Sequence, residues 1–112
     1  MIVEKTQRDG STVIALEGAI RLGESAEFFS QTLQRTLDDE TGHVLIDFSR
    51  INYIDSTGIG ELVGYLQRFR SQERQLILVN PSDKIGQLLE ISRLDQLFRI
   101  HRSVDEALEA EA

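Results

Sequence analysis

The chain predicts an α/β fold, a mixed sheet of about five strands with about four helices packed against it, and three observations carry that prediction. Two β-rich runs near the start flank a tight turn. A further apolar run at 44–48, an amphipathic segment and a last apolar run at 76–79 follow in the order of a βαβ unit. Helical periodicity recurs in four stretches placed between the strand-like runs. A length of 112 residues suits one domain, 1–112, with a single core of ordinary size.

Residues 2–8 and 12–18 are separated by Asp9-Gly10-Ser11, a turn signal that predicts an antiparallel hairpin. The chain is expected to turn at Gly18 and Gly23. From Glu24 to about Asp39, Ala26, Phe29, Leu33 and Leu37 share one helical face with Thr36 beside them, and Phe28 points the other way. Val44-Leu45-Ile46-Asp47-Phe48, bounded by Gly42 and Ser49, has the composition of a strand covered on both faces. An unpaired carboxylate is costly to bury, so Asp47 is expected at the strand's end, near the loop that carries Ser56.

Ile59, Leu62, Val63, Leu66 and Phe69 form an apolar arc on a helix predicted over 57–71. With the strand at 76–79 this completes the βαβ unit, whose two strands should be parallel. Asn80-Pro81-Ser82-Asp83 starts a third helix, with Pro81 at its first position and Ile85, Leu88 and Leu89 on its core face. Leu97–Ile100 predicts a short edge strand. Val104, Ala107 and Leu108 are the inner face of a last helix whose tail, Glu109-Ala110-Glu111-Ala112, is expected to fray.

Composition narrows the function classes. Acidic residues outnumber basic ones by 19 to 12, and the net charge of -7 argues against a nucleic-acid or anionic-membrane surface. With no cysteine, disulfides, thiolate metal sites and cysteine nucleophiles are excluded, and His43 and His101 are too few for a histidine metal cluster. No stretch approaches the roughly 20 apolar residues of a membrane span, so the expected location is the cytoplasm.

Asp55-Ser56-Thr57-Gly58-Ile59-Gly60 is the most informative stretch, because it places short oxygen-bearing side chains where a helix begins. One of Asp55, Ser56 or Thr57 must be the N-cap, accepting from the orphan N–H groups of the first turn. The positive helix end there favours an anion such as phosphate. Ser56 therefore has two readings, a cap or a modifiable hydroxyl; Thr57 is the second candidate acceptor. Asp55 either caps or orients the Ser56 hydroxyl. Gly60 and Gly64 each cost about 1 kcal/mol in a helix relative to alanine and project outside the apolar arc, as a groove for a partner or as a packing face. Gly58-x-Gly60-x-x-x-Gly64 departs from the dinucleotide-binding spacing, and Ser56 lacks the G-x-S-x-G setting of a hydrolase, so no enzyme activity and no cofactor are expected.

The run Ile46-Asp47-Phe48-Ser49-Arg50-Ile51-Asn52-Tyr53-Ile54-Asp55-Ser56-Thr57-Gly58-Ile59-Gly60 resembles the signature of the STAS-domain anti-sigma factor antagonist family: strand, short loop, Asp-Ser-Ser/Thr/Ala-Gly-Leu/Ile-Gly, helix. Leu76–Ser82 and Leu88–Phe98 resemble the family's next strand and its helix leading to the last strand, so the likeness covers nearly the whole chain. It implies the STAS fold and a phosphoprotein that works by partner switching in transcription regulation. Ser56 matches the family's phosphate acceptor. Unphosphorylated, such a protein binds a serine protein kinase/anti-sigma factor; phosphorylation releases it and a PP2C-type phosphatase resets it. The resemblance places the contact on the loop and helix, here Asp55, Ser56, Thr57, Gly58, Gly60, Glu61 and Gly64, with Arg21 nearby, in a monomer or weak dimer. Related domains also serve as scaffold subunits of lipid-transport ATPase complexes, or switch partners that are not sigma factors. One departure is visible: Gly18-Ala19-Ile20-Arg21 stands where the family has Gly-Glu-Leu-Asp, so a guanidinium replaces a carboxylate.

Overall fold

The hairpin forms where its turn chemistry demands. In a computed structural model, which describes residues 1–111, Asp9 and Gly10 have φ of 51° and 81°. Both are left-handed, as the two-residue turn that matches strand twist requires. Arg8 therefore pairs with Ser11, joining β1 (Ile2–Arg8) antiparallel to β2 (Ser11–Ile20). Then come α1 (Glu24–Asp39), β3 (Val44–Ile54), α2 (Ser56–Arg70), β4 (Leu76–Val79), α3 (Asp83–Ile91), β5 (Ile100–His101) and α4 (Val104–Ala110). The sheet order is β1-β2-β3-β4-β5, and every pairing after the first is parallel. This is the predicted mixed sheet with four helices.

Two layers of side chains hold the helices on the sheet. Ile14, Leu16, Ile46 and Phe48 pack with Phe29 and Leu33 of α1, Leu62, Leu66 and Phe69 of α2, and Leu89 of α3. On the other face Val13, Leu45, Ile77 and Val79 meet Ala107 of α4. Fully burying each such side chain contributes about 1.5–3 kcal/mol relative to exposure. Among the described residues no helix is long and apolar enough to cross a membrane.

Several expectations are corrected. The third strand runs past residue 48 to Ile54, because Ile51 and Ile54, 1% and 4% exposed, continue its buried edge. Phe48, Ile51 and Ile54 recur every three residues, which conceals a strand; two register shifts against β2, at Ala15/Glu17 and Gly18/Ala19, each insert one extra residue into β3 and convert a period of two into three. Asp47 consequently lies inside the strand, far from Ser56, where its Oδ1 accepts the Ser49 N–H at 2.9 Å across the first shift. Gly18 does not turn the chain: it stays in β2 at the second shift, with φ of 109°.

Pro81 precedes the third helix, and Ser82 caps it through a 3.3 Å bond from the Ile85 N–H. The last strand starts at Ile100 because the Leu97 and Phe98 N–H groups are both taken by the Leu94 carbonyl in a short 3₁₀ turn, Leu94–Gln96. In the expected fraying tail, Glu109 and Ala110 are helical and Glu111 pairs with Arg99; Ala112 lies outside the described residues. Tyr65, absent from the predicted arc of α2, is buried, and its hydroxyl donates to Gln34 Oε1 at 3.0 Å.

Candidate functional site

The parallel strands β2 and β3 end together, Ile20 opposite Ile54, and deliver Arg21 and Asp55 to the same end of the sheet. Asp55 resolves the capping question. Its Oδ1 accepts the Gly58 N–H at 2.9 Å and its Oδ2 accepts the Leu22 N–H at 2.8 Å, while its own N–H donates to the Ile20 carbonyl at 3.0 Å. One carboxylate thus caps α2 and ties its start to the end of β2. These bonds hold its pKa below the ordinary 3.8: the Gly58 N–H has the largest effect, the Leu22 N–H the next, with burial opposing, and Thr57 N–H and the Arg21 charge add smaller shares.

Because Asp55 is the cap, Ser56 is released from that duty. It is the first residue of α2, exposed, and its hydroxyl has no hydrogen-bond partner among the described side chains and backbone. Ser56 opens onto a cleft of about 530 Å³ between the start of α2 and α3, lined also by Tyr53, Lys84, Leu88 and Ile91. Thr57 and Glu61 open the other way, onto a groove of about 330 Å³ beside α1 with Leu22, Ala26, Glu27 and Ser30. The two candidate acceptors therefore face different surroundings one residue apart.

The glycines divide. Gly60 and Gly64 leave open space: a Cβ built on either meets nothing within 4 Å. Gly58 is buried, and a Cβ there would come within 2.7 Å of both Ile20 Cγ2 and Ile54 Cγ1. Its assignment to a partner-contacting surface is corrected on that ground, since it lets α2 settle against the strand ends and lies beneath the surface. Arg21 is exposed and holds its guanidinium 5.0 Å from the Tyr53 ring centroid. Phe28, 36% exposed, does point away from the core.

Sequence reasoning missed Tyr53 and Lys84. Tyr53 was legible as part of a motif, though without a role, and the 28-residue separation of Lys84 from Ser56 left no local signal. Both histidines are engaged elsewhere: His43 Nδ1 accepts the Gln75 N–H at 3.0 Å, and His101 Nδ1 lies 3.7 Å from Glu106. Among the described residues no group of three or more potential metal-ligating side chains gathers.

Comparison with known proteins agrees with this architecture. The anti-sigma-B factor antagonist of Staphylococcus aureus (strain NCTC 8325 / PS 47) is 26% identical over 103 residues, covering 92% of this chain and 94% of its own. An anti-sigma factor antagonist from Mycobacterium paratuberculosis superposes with a TM-score of 0.88 at 21% identity, over 98% of this chain and 92% of that one. The Bacillus protein SpoIIAA superposes in its unphosphorylated form with a TM-score of 0.81 and in its phosphorylated form with 0.74. Identity is 19% in both, over 97% of this chain and 95% and 98% of those chains respectively. The STAS domain family matches residues 3–107, taking in α1, α2, α3 and the four strands from β2 onward whole, and the chain is a member of that family.

Proposed function

We propose that this protein is an anti-sigma factor antagonist, a non-catalytic, phosphorylation-controlled partner switch whose acceptor is Ser56. The observation that carries the reading is the division of labour at the start of α2: Asp55 caps the helix by accepting the Gly58 N–H, and the Ser56 hydroxyl is left exposed and unpartnered. A kinase can take that hydroxyl without breaking a bond the fold needs. Transfer of the γ-phosphoryl of ATP to Ser56 Oγ, with release of ADP and a proton, adds about -1.5 to -2 charges at the positive end of a helix. The fold can absorb that charge while the surface read by a partner changes greatly. The relative from Staphylococcus aureus, named an anti-sigma-B factor antagonist, and SpoIIAA, solved both unphosphorylated and phosphorylated, support the reading.

In this reading the unphosphorylated protein docks on a serine protein kinase/anti-sigma factor in the cytoplasm through Ser56, Thr57, Gly60, Glu61 and Gly64. Arg21 and Asp55 shape the rim. Phosphorylation dissociates the pair and a PP2C-type phosphatase reverses it. The test is phosphorylation by the cognate kinase with ATP, read by intact mass and peptide mapping. One phosphate on the wild type, none on Ser56→Ala, and weaker kinase binding by Ser56→Asp are the expected results. Phosphate mapped to Thr57, or capture of a transport ATPase with Ser56 unmodified in cell-derived protein, would replace this reading.

A further inference from the structure

The cleft on the α3 side of Ser56 carries a cation, Lys84, that the partner-switch reading does not use. Tyr53, 40% exposed, has the Lys84 Nζ 5.8 Å from its ring centroid and the Arg21 guanidinium 5.0 Å from it. Lys84 lies in the first turn of α3, and Tyr53, Ser56 and Lys84 line the same cleft. Among the described residues neither Lys84 nor Arg21 comes within 4 Å of a carboxylate. Two cations therefore rest on one aromatic ring beside an exposed hydroxyl. A cation on an exposed ring is weakly held, whereas a phosphate oxygen offers it a charge-assisted hydrogen bond.

We propose that Lys84, assisted by Arg21, is an intramolecular receptor for a phosphate on Ser56: both cations leave the Tyr53 ring for the phosphate, and Lys84 draws the start of α3 toward the start of α2. The inference rests on Ser56 being the acceptor. Phosphorylation then alters the α3 wall of the cleft although that wall carries no modified residue. The other charged groups at this corner are Asp55, already bonded to two N–H groups, and Asp83, the neighbour of Lys84. Both are acids, and both oppose the phosphate, so its neutralisation falls to the two cations.

The experiment uses the full chain with phosphoserine incorporated at position 56 during translation, so that no kinase is needed. Titration followed by phosphorus NMR reads the second pKa of the phosphate, about 6 in an unperturbed phosphoserine. In the wild type it should lie lower than in either Lys84→Gln or Arg21→Gln, and about one unit lower than in the double variant at low salt. The difference should shrink in roughly 1 M salt, where the screening length is about 3 Å. The Lys84 side-chain methylene resonances, shifted by the Tyr53 ring current, should move toward their random-coil positions on phosphorylation. A second pKa that is the same in the wild type and in Lys84→Gln overturns the proposal, as do Lys84 resonances that do not move. Failure of a kinase to modify Ser56 would count against the partner switch and leave this titration unaffected; a kinase that modifies Ser56 together with a titration blind to Lys84 would sink only the receptor.

Discussion

One substitution made at three positions of α2 should change stability with opposite signs. Glycine to alanine inside a helix gains about 0.5–1 kcal/mol because alanine has less backbone entropy to lose. At Gly60 and Gly64 the new methyl meets open space, so that gain should be realised and each melting midpoint should rise by about 3 °C for a domain of this size. At Gly58 the methyl would press 2.7 Å from Ile20 Cγ2 and Ile54 Cγ1 and 3.2 Å from the Ile20 carbonyl oxygen. Those methyl and methylene groups sit next to the backbone of two strands and cannot swing away. Overpacking of this kind costs about 1–3 kcal/mol, so the net effect of Gly58→Ala should be a loss of about 1 kcal/mol and a fall of roughly 4 °C. Thermal melts followed by circular dichroism, repeated in urea, would measure all three. Gly58→Ala melting above the wild type would refute the packing argument, and a destabilised Gly60→Ala or Gly64→Ala would show that the outer face of α2 is not open. Gly64→Leu extends the test to binding: it should obstruct the partner without lowering the midpoint.

Arg74 should prove to be the most sensitive charged position in the fold. It is 7% exposed and donates to the carbonyls of Gly42, Leu37 and Thr36 at 2.8, 3.0 and 3.4 Å and to Gln72 Oε1 at 2.9 Å, with its guanidinium 4.7 Å from the Phe69 ring centroid. Burial lowers its pKa from the ordinary guanidinium value and the Glu40 charge opposes that, and it stays charged at neutral pH. Arg74→Ala strands buried carbonyls at the end of α1 and should cost about 3 kcal/mol in urea denaturation; Arg74→Lys keeps the charge without the fork and should lose roughly half as much. A wild-type urea midpoint for Arg74→Ala would contradict this account. Asp55, with its folded pKa depressed below 3.8, contributes stability that is fully present above the unfolded value and is lost as pH falls through the folded one. Asp55→Asn should therefore melt below the wild type at pH 7, with the gap closing only in acid below 3.8; a gap that stays constant down to strong acid would refute the sign of the shift.

Much of this protein is decided by interactions within a few residues, and those were legible in the sequence. The Asp9-Gly10 turn, the Glu24–Asp39 helix with Phe28 turned outward, the βαβ unit and the Asp-Ser-Thr start of α2 all rest on turn chemistry or on a three-to-four-residue period, which the chain carries locally. The tertiary structure alone decided which residue caps α2, because the choice of Asp55 depends on a second acceptor oxygen meeting Leu22 in the turn between β2 and α1. It also decided the length of β3. Its two extra residues are visible only against the register of β2, and the three-residue spacing they create reads as a loop when β2 is not beside it. The burial of Gly58 depends on two isoleucines, one of them 38 residues upstream; the nearness of Lys84 to Ser56 depends on where α3 lands after β4. Periodicity tells a segment which face to bury, and only packing tells it what that face will meet.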